Sequence, residues 1–125
     1  MLHFLVFERQ EATDGVVVFE AMAAVPEARW PALQAELAQV LAWCHAWGKH
    51  HGAPHPQPLD DGGEWDAELR VSSERTEALV VAFDPRLQTL ACAPEGDGFT
   101  RYSATLSVSG HGPFAADFLT RFPDD

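Results

Sequence analysis

The sequence predicts an α+β protein, in which a mostly antiparallel sheet of about six strands is covered by one long and one short helix. Short apolar segments separated by turn residues recur along the chain, and two of them alternate between apolar and polar residues. One longer segment follows a helical period instead. Because the alternating segments leave one face polar, we expect a two-layer sandwich in the order ββαββββα. A sheet wrapped around the long helix is the alternative.

The chain begins with two predicted strands. The first, LHFLVFER at residues 2–9, is apolar on both faces, and the second, VVVFEAMAAV, covers residues 16–25. The turn-like segment EATDG lies between them. We therefore expect an N-terminal hairpin with a buried surface.

The long helix is predicted within residues 26–52. Pro31 suits a first-turn position, so residues 26–30 are expected to form an irregular lead-in, and Gly52 is a stop signal. At about 100° per residue, a stripe about 80° wide faces the sheet. The residues of this stripe are Trp30, Leu33, Leu37, Val40, Leu41, Cys44 and Gly48.

The second half of the chain contributes four strands and the short helix. Residues 52–63, rich in proline and glycine, form a loop within a single domain of residues 1–125. Two more strands, EALVVAFDP and RLQTLACAPEG, lie between the alternating ones, and GHGPFAADFLTRF forms the closing helix. The side chains that we expect to face inward are Trp65, Ala67, Leu69, Val71, Tyr102, Ala104, Leu106, Val108, Phe114, Phe118, Leu119 and Phe122.

Composition limits the classes of partner. The chain has 19 acidic and 8 basic residues, a net charge of −11, which repels nucleic acid and anionic membranes. A basic protein partner is compatible with this charge, as is simple solubility, and a homodimer stays open. Two cysteines among apolar neighbours, Cys44 and Cys92, indicate reduced core thiols and a cytoplasmic location. The absence of Ile and Asn, with Lys49 as the single lysine, is typical of a GC-rich bacterial genome.

The segment WCHAWGKHHGAPH at residues 43–55 is the densest in side chains that carry chemistry. Its histidines are wrongly spaced for a helical metal site, since only His51 and His55 could chelate together, and we predict no metal. As the wall of a ligand pocket the segment fits better, because indole rings four residues apart form a continuous surface. The favoured alternative is that this flank packs under the prolines of the following loop. The predicted ligand-binding residues are Trp43, Trp47, His50 and His55.

Two further segments suggest binding rather than catalysis. His111 and Gly112 precede the last helix, where backbone N–H groups could hold an anion, although a glycine-containing turn between strand and helix needs no function and this structural role is favoured. An acidic block offers either a solvated face or a docking surface for a basic partner. Its members are Asp60, Asp61, Glu64, Asp66 and Glu68.

No catalytic group is assembled by the sequence. Ser107 and Ser109 have no identifiable orienting acid, and Cys44 and His45 point about 100° apart on a helix. We therefore expect a small acidic protein-binding module without cofactor or catalysis, similar in size and charge to immunity proteins, antagonists or adaptors. The alternative is a small-molecule-binding protein or small enzyme with a Trp/His-lined pocket at the end of the long helix.

Overall fold

The computed structural model describes residues 2–12 and 14–123, and over these residues it has the predicted order ββαββββα. The α+β class, with six strands in antiparallel sheets, one long helix and one short helix, is confirmed. Short 3₁₀ turns at Glu27–Arg29 and Leu59–Asp61 complete the chain. The main elements are β1 Glu8–Glu11, β2 Val17–Pro26, α1 Trp30–His50, β3 Trp65–Thr76, β4 Leu79–Asp84, β5 Thr89–Pro94, β6 Phe99–Gly110 and α2 Gly112–Arg121.

The six strands are divided between two sheets. Four form an antiparallel sheet in the order β1-β2-β6-β3, and β4 pairs with β5 alone. The β3–β6 ladder ends at the pair Thr76 and Phe99, and the β4–β5 ladder begins at the pair Leu79 and Pro94. Between the two ladders, two residues (77–78) connect β3 to β4, whereas four residues (95–98) connect β5 to β6. This unequal insertion interrupts the ladder, and the β4–β5 hairpin therefore forms a separate sheet.

The predicted first strand is wrong over residues 2–7, because β1 begins only at Glu8. The backbone N–H groups of His3, Phe4 and Leu5 donate to the carboxylate of Glu36 on α1 instead of to a neighbouring strand. Glu36 is buried although it is charged, and its carboxylate stays hydrogen-bonded there. Local sequence pattern does not reveal this role of Glu36, because its partners lie more than thirty residues away.

Helix α1 behaves as its sequence predicts. Residues 27–29 form a 3₁₀ lead-in, Pro31 lies in the first turn, and Gly52 adopts a positive φ of 79° just after the helix. Five residues of the predicted stripe are buried, and the other two, Trp30 and Leu41, are half-buried. The Trp30 ring stacks on Tyr102 of β6 at 4.8 Å, which joins the start of α1 to the sheet.

The core lies between the sheet and the two helices. Phe114 and Phe118 of α2 are fully buried, as are Phe19 and Trp65 of the sheet. The ring of Phe118 lies 4.5 Å from that of Phe19, so α2 packs directly on β2. We call β1, β2, β3, β6 and the two helices the body.

The helices do not cover the whole sheet. Leu69 and Val71 lie on the helix side of β3, opposite Leu106 and Ala104, as predicted. They are nevertheless 39% and 46% exposed, because no described element packs over this end of the strand. The prediction that they are buried is therefore wrong.

Of the helices in the described residues, none combines the length and the apolar character that crossing a membrane requires.

Candidate functional site

The two tryptophans of the predicted ligand wall pack against α2. The Trp47 indole is buried and donates its Nε1–H to the carboxylate of Asp117 at 2.8 Å. Its ring also contacts Phe114 edge-on, at 5.0 Å between centroids. Trp43 is half-buried, and its ring centroid lies within 6 Å of those of Phe114 and Phe118 in α2 and of Phe122 just after it. Both indoles therefore join α1 to α2.

The histidines of this region are exposed. His50 lies in the last turn of α1 and His55 in the following loop, while His51 stacks on the Trp47 ring at 4.0 Å. A cavity of about 290 Å³ lies between the N-terminal segment and the end of α2, and its lining includes none of the four predicted ligand residues. Over residues 2–12 and 14–123, no cluster of three or more His, Cys, Asp or Glu side chains could hold a metal.

Gly48 is the point where the following loop and β3 approach α1 closely. Its carbonyl accepts the backbone N–H of Ala53 at 2.7 Å, and the carbonyl of Ala53 accepts the Nε1–H of Trp65 at 2.8 Å. A Cβ atom on Gly48 would collide with the Ala53 carbonyl oxygen and the Trp65 ring. The absent side chain lets loop and strand approach the helix, which is a packing role.

The acidic residues lie on two different elements. Asp60 and Asp61 are exposed in the second 3₁₀ turn, Glu64 is exposed in the loop, and Asp66 and Glu68 follow on β3. The Glu68 carboxylate accepts the Nε–H of Arg70 at 2.9 Å, so its charge is compensated. The outer face of the sheet therefore carries both signs of charge, beside an exposed Met22.

His111 and Gly112 lie where the sequence predicts, at the start of α2. The N–H of His111 donates to the carbonyl of Glu64 at 3.3 Å, which occupies one of the donors expected to hold an anion. The preceding Gly110 is buried, and a Cβ there would collide with the Phe114 ring. Gly110 thus allows α2 to fold back on the sheet.

The most unusual surface of the described structure is the β4–β5 hairpin, residues 79–94, which we call the arm. Each of the thirty residues from 68 to 97 is exposed. Eight of the eleven exposed large hydrophobic residues in the described chain fall within this stretch. They are Leu69, Val71, Leu79, Val80, Val81, Phe83, Leu87 and Leu90.

The two faces of the arm differ. Cross-strand pairing places Leu79 opposite Pro94, Val81 opposite Cys92 and Phe83 opposite Leu90, so one face is entirely apolar. We call these six residues the Phe83 face. The other face carries smaller side chains, with Val80 opposite Ala93 and Ala82 opposite Ala91. Such a ribbon needs a covering layer, because a two-stranded hairpin alone is marginally stable in water.

The thiols occupy opposite environments. Cys44 is buried in the core, and burial raises the pKa of its thiol to about 12, with a smaller opposing effect from a backbone hydrogen bond. Cys92 lies on the Phe83 face and is exposed, so the prediction that it is a core thiol is wrong. Both thiols are free.

The arm was predicted as two strands, and no function was predicted for it. Its signal was available, since β4 and β5 are apolar on both faces in LVVAF and LACA, which is typical of strands buried on both sides. The two helices were already needed to cover the body. The sequence therefore contains more apolar strand surface than its two helices can cover. This excess indicates an interface at the arm.

Comparisons with protein families, with curated proteins and with solved structures find no significant match to this chain.

Proposed function

We propose that this chain is a protein-binding module without catalytic activity, of the immunity, antagonist or adaptor type, and that it binds through the arm. The observation that carries the proposal is the run of thirty exposed residues, in which the Phe83 face consists only of apolar side chains. Large exposed apolar patches on folded proteins mark interaction sites. The two free thiols support a cytoplasmic location for this binding.

The packing of the tryptophans also favours binding of a protein over binding of a small molecule. A ligand pocket at the end of α1 would need Trp43 and Trp47 to line a cavity. In the structure the Trp47 indole is held by Asp117, and the Trp43 ring lies among three phenylalanines. The arm, in contrast, is apolar surface without a partner in the body.

The acidic residues of 60–68 support a second surface, for a basic partner. Asp60, Asp61 and Glu64 are exposed beside one another in the loop that leads into β3, in a chain of net charge −11. Acidic patches of this kind speed the approach of basic partners and act over a distance that salt shortens. The salt dependence of binding therefore distinguishes binding through the acidic residues from binding through the arm.

The proposal is tested by capture of partners on the immobilised chain. We expect Phe83→Asp to abolish binding, because it places a charge in the centre of the apolar face. Met22→Asp is the matched control, since Met22 is exposed to a similar degree, 70% against 62%, but lies on the body. Binding through the arm should survive high salt, whereas binding through the acidic loop should not. Equal capture by both variants would contradict the proposal.

A further inference from the structure

We propose that the partner of the arm is a second copy of this chain, related to the first by a twofold axis that packs the two Phe83 faces against each other. This inference rests on the proposed function, in that it takes the arm to be a protein-binding surface. Three independent observations identify the occupant: the area of the chain, the charge of the arm and its self-complementary form.

The chain exposes more surface than a compact monomer of its size. Its accessible surface is 8443 Å². A compact monomer of 13.7 kDa exposes about 6,600 Å², so the excess is about 1,800 Å². A stable interface buries about 800 Å² on each partner, and obligate homodimers bury more. Covering half of the excess in each of two copies therefore suffices for a stable dimer.

The charge of the arm favours a copy of itself over a basic partner. Asp84 and Arg86 are the charged residues of the arm, which is therefore neutral in a chain of net charge −11. Two copies repel each other over most of their surface. The arm lets two copies meet through a surface whose own charges cancel, and it offers nothing that selects a basic protein.

The Phe83 face is also complementary to itself. A twofold axis brings identical patches together, so a patch that is apolar throughout meets only apolar side chains. Two such ribbons, stacked about 10 Å apart, form a small four-stranded sandwich with its own core. This supplies the covering layer that the hairpin lacks. A second copy is moreover present at equal concentration whenever the chain is made.

The mass of the intact chain in solution is the first test, measured by light scattering at micromolar concentration. We expect twice 13.7 kDa for the wild type and for Met22→Asp. We expect Phe83→Asp to run at 13.7 kDa, with dimerisation weakened about a hundredfold or more, because two buried charges are introduced per dimer. Leu90→Lys, on the opposing strand, provides a second disruption should Phe83→Asp fail to fold.

Alkylation of Cys92 reports which faces meet. Cys92 lies on the Phe83 face and is exposed in the single chain, whereas Cys44 is buried. A face-to-face dimer covers Cys92, so iodoacetamide should modify it much more slowly in the wild type than in the monomeric Phe83→Asp variant. A wild-type dimer whose Cys92 reacts as fast as that of Phe83→Asp would overturn the face-to-face arrangement.

The homodimer and the binding role of the arm can be contradicted separately. A wild-type chain of 13.7 kDa at high concentration overturns the homodimer. If that monomer still captures a different protein, and Phe83→Asp alone loses it, the arm is a binding surface with another occupant. If capture is also unaffected by Phe83→Asp, the proposed function fails together with the homodimer.

Discussion

The carboxylate of Glu36 accepts the backbone N–H of Phe4 through both of its oxygens, at 3.0 Å and 3.1 Å. The N–H groups of His3 and Leu5 donate to the same carboxylate, at 2.8 Å and 3.2 Å. One buried side chain on α1 thus satisfies three consecutive donors of the N-terminal segment, which forms no strand there.

Glu36→Gln should lower the free energy of unfolding by about 2–4 kcal/mol, because an amide has one acceptor oxygen and hydrogen bonds to a charged group contribute most. Urea denaturation measures the change. Gln34→Ala, at an exposed position on the same helix, is the control and should have little effect. A Glu36→Gln protein as stable as the wild type would show that the segment is held by its apolar side chains alone.

Gly48→Ala should destabilise the protein, although alanine is the better helix former by about 1 kcal/mol. The added Cβ meets the Ala53 carbonyl and the Trp65 indole, so the hydrogen bond between them must shift. We expect a net loss of about 1–3 kcal/mol in thermal or urea denaturation. Gly112→Ala is the matched control, because a Cβ there meets nothing within 4 Å. A stabilised Gly48→Ala protein would refute the packing role.

The two thiols should differ in reactivity. The buried Cys44 thiol, whose pKa burial raises to about 12, should resist alkylation at about pH 8. Cys92 should react in the monomeric Phe83→Asp variant, in which the Phe83 face is open to solvent. Mass spectrometry of native Phe83→Asp after iodoacetamide treatment should show a single adduct, on Cys92. Denaturant should expose Cys44, so that a second adduct forms on it. Modification of Cys44 in the native protein would show that the core opens readily.

The Cys44 thiol also predicts how stability depends on pH. Its pKa is raised from 9.0 to about 12 in the native protein, so the unfolded chain releases this proton first as pH rises. The stability that this thiol contributes is fully present below pH 9 and is lost as pH rises towards 12. Over that range the free energy of unfolding falls by about 1.4 kcal/mol per pH unit. Cys44→Ala should remove this component, which urea denaturation at about pH 8 and about pH 10 measures. Parallel losses in both proteins would contradict it.

Periodicity in the sequence was sufficient to predict much of the fold. The alternation through Tyr102 and Leu106 predicted the inward face of β6, and the stripe from Trp30 to Gly48 predicted the buried side of α1. These patterns succeed because burial repeats at the period of the backbone. The ends of α1 followed from Pro31 and Gly52 for the same local reasons.

Periodicity does not reveal whether a face is covered. Leu69 and Val71 point to the predicted side of β3, yet they are exposed because α1 and α2 pack elsewhere. Which residues Trp43 and Trp47 contact depended on where α2 lies, a long-range arrangement that local pattern cannot supply. The missing strand at residues 2–7 depended likewise on Glu36, more than thirty residues away along the chain.

The position of β6 has a consequence for how the chain folds as it is synthesised. β6 lies between β2 and β3, so it supplies the central strand of the body although it is the last strand to be made. Until residues 99–110 have left the ribosome, β2 has only β1 as a partner and β3 has none. The sheet therefore closes late, through contacts between distant parts of the chain, which makes folding slow compared with helical proteins of equal length. The apolar arm is synthesised before that closure, and it is exposed for as long as the sheet is incomplete.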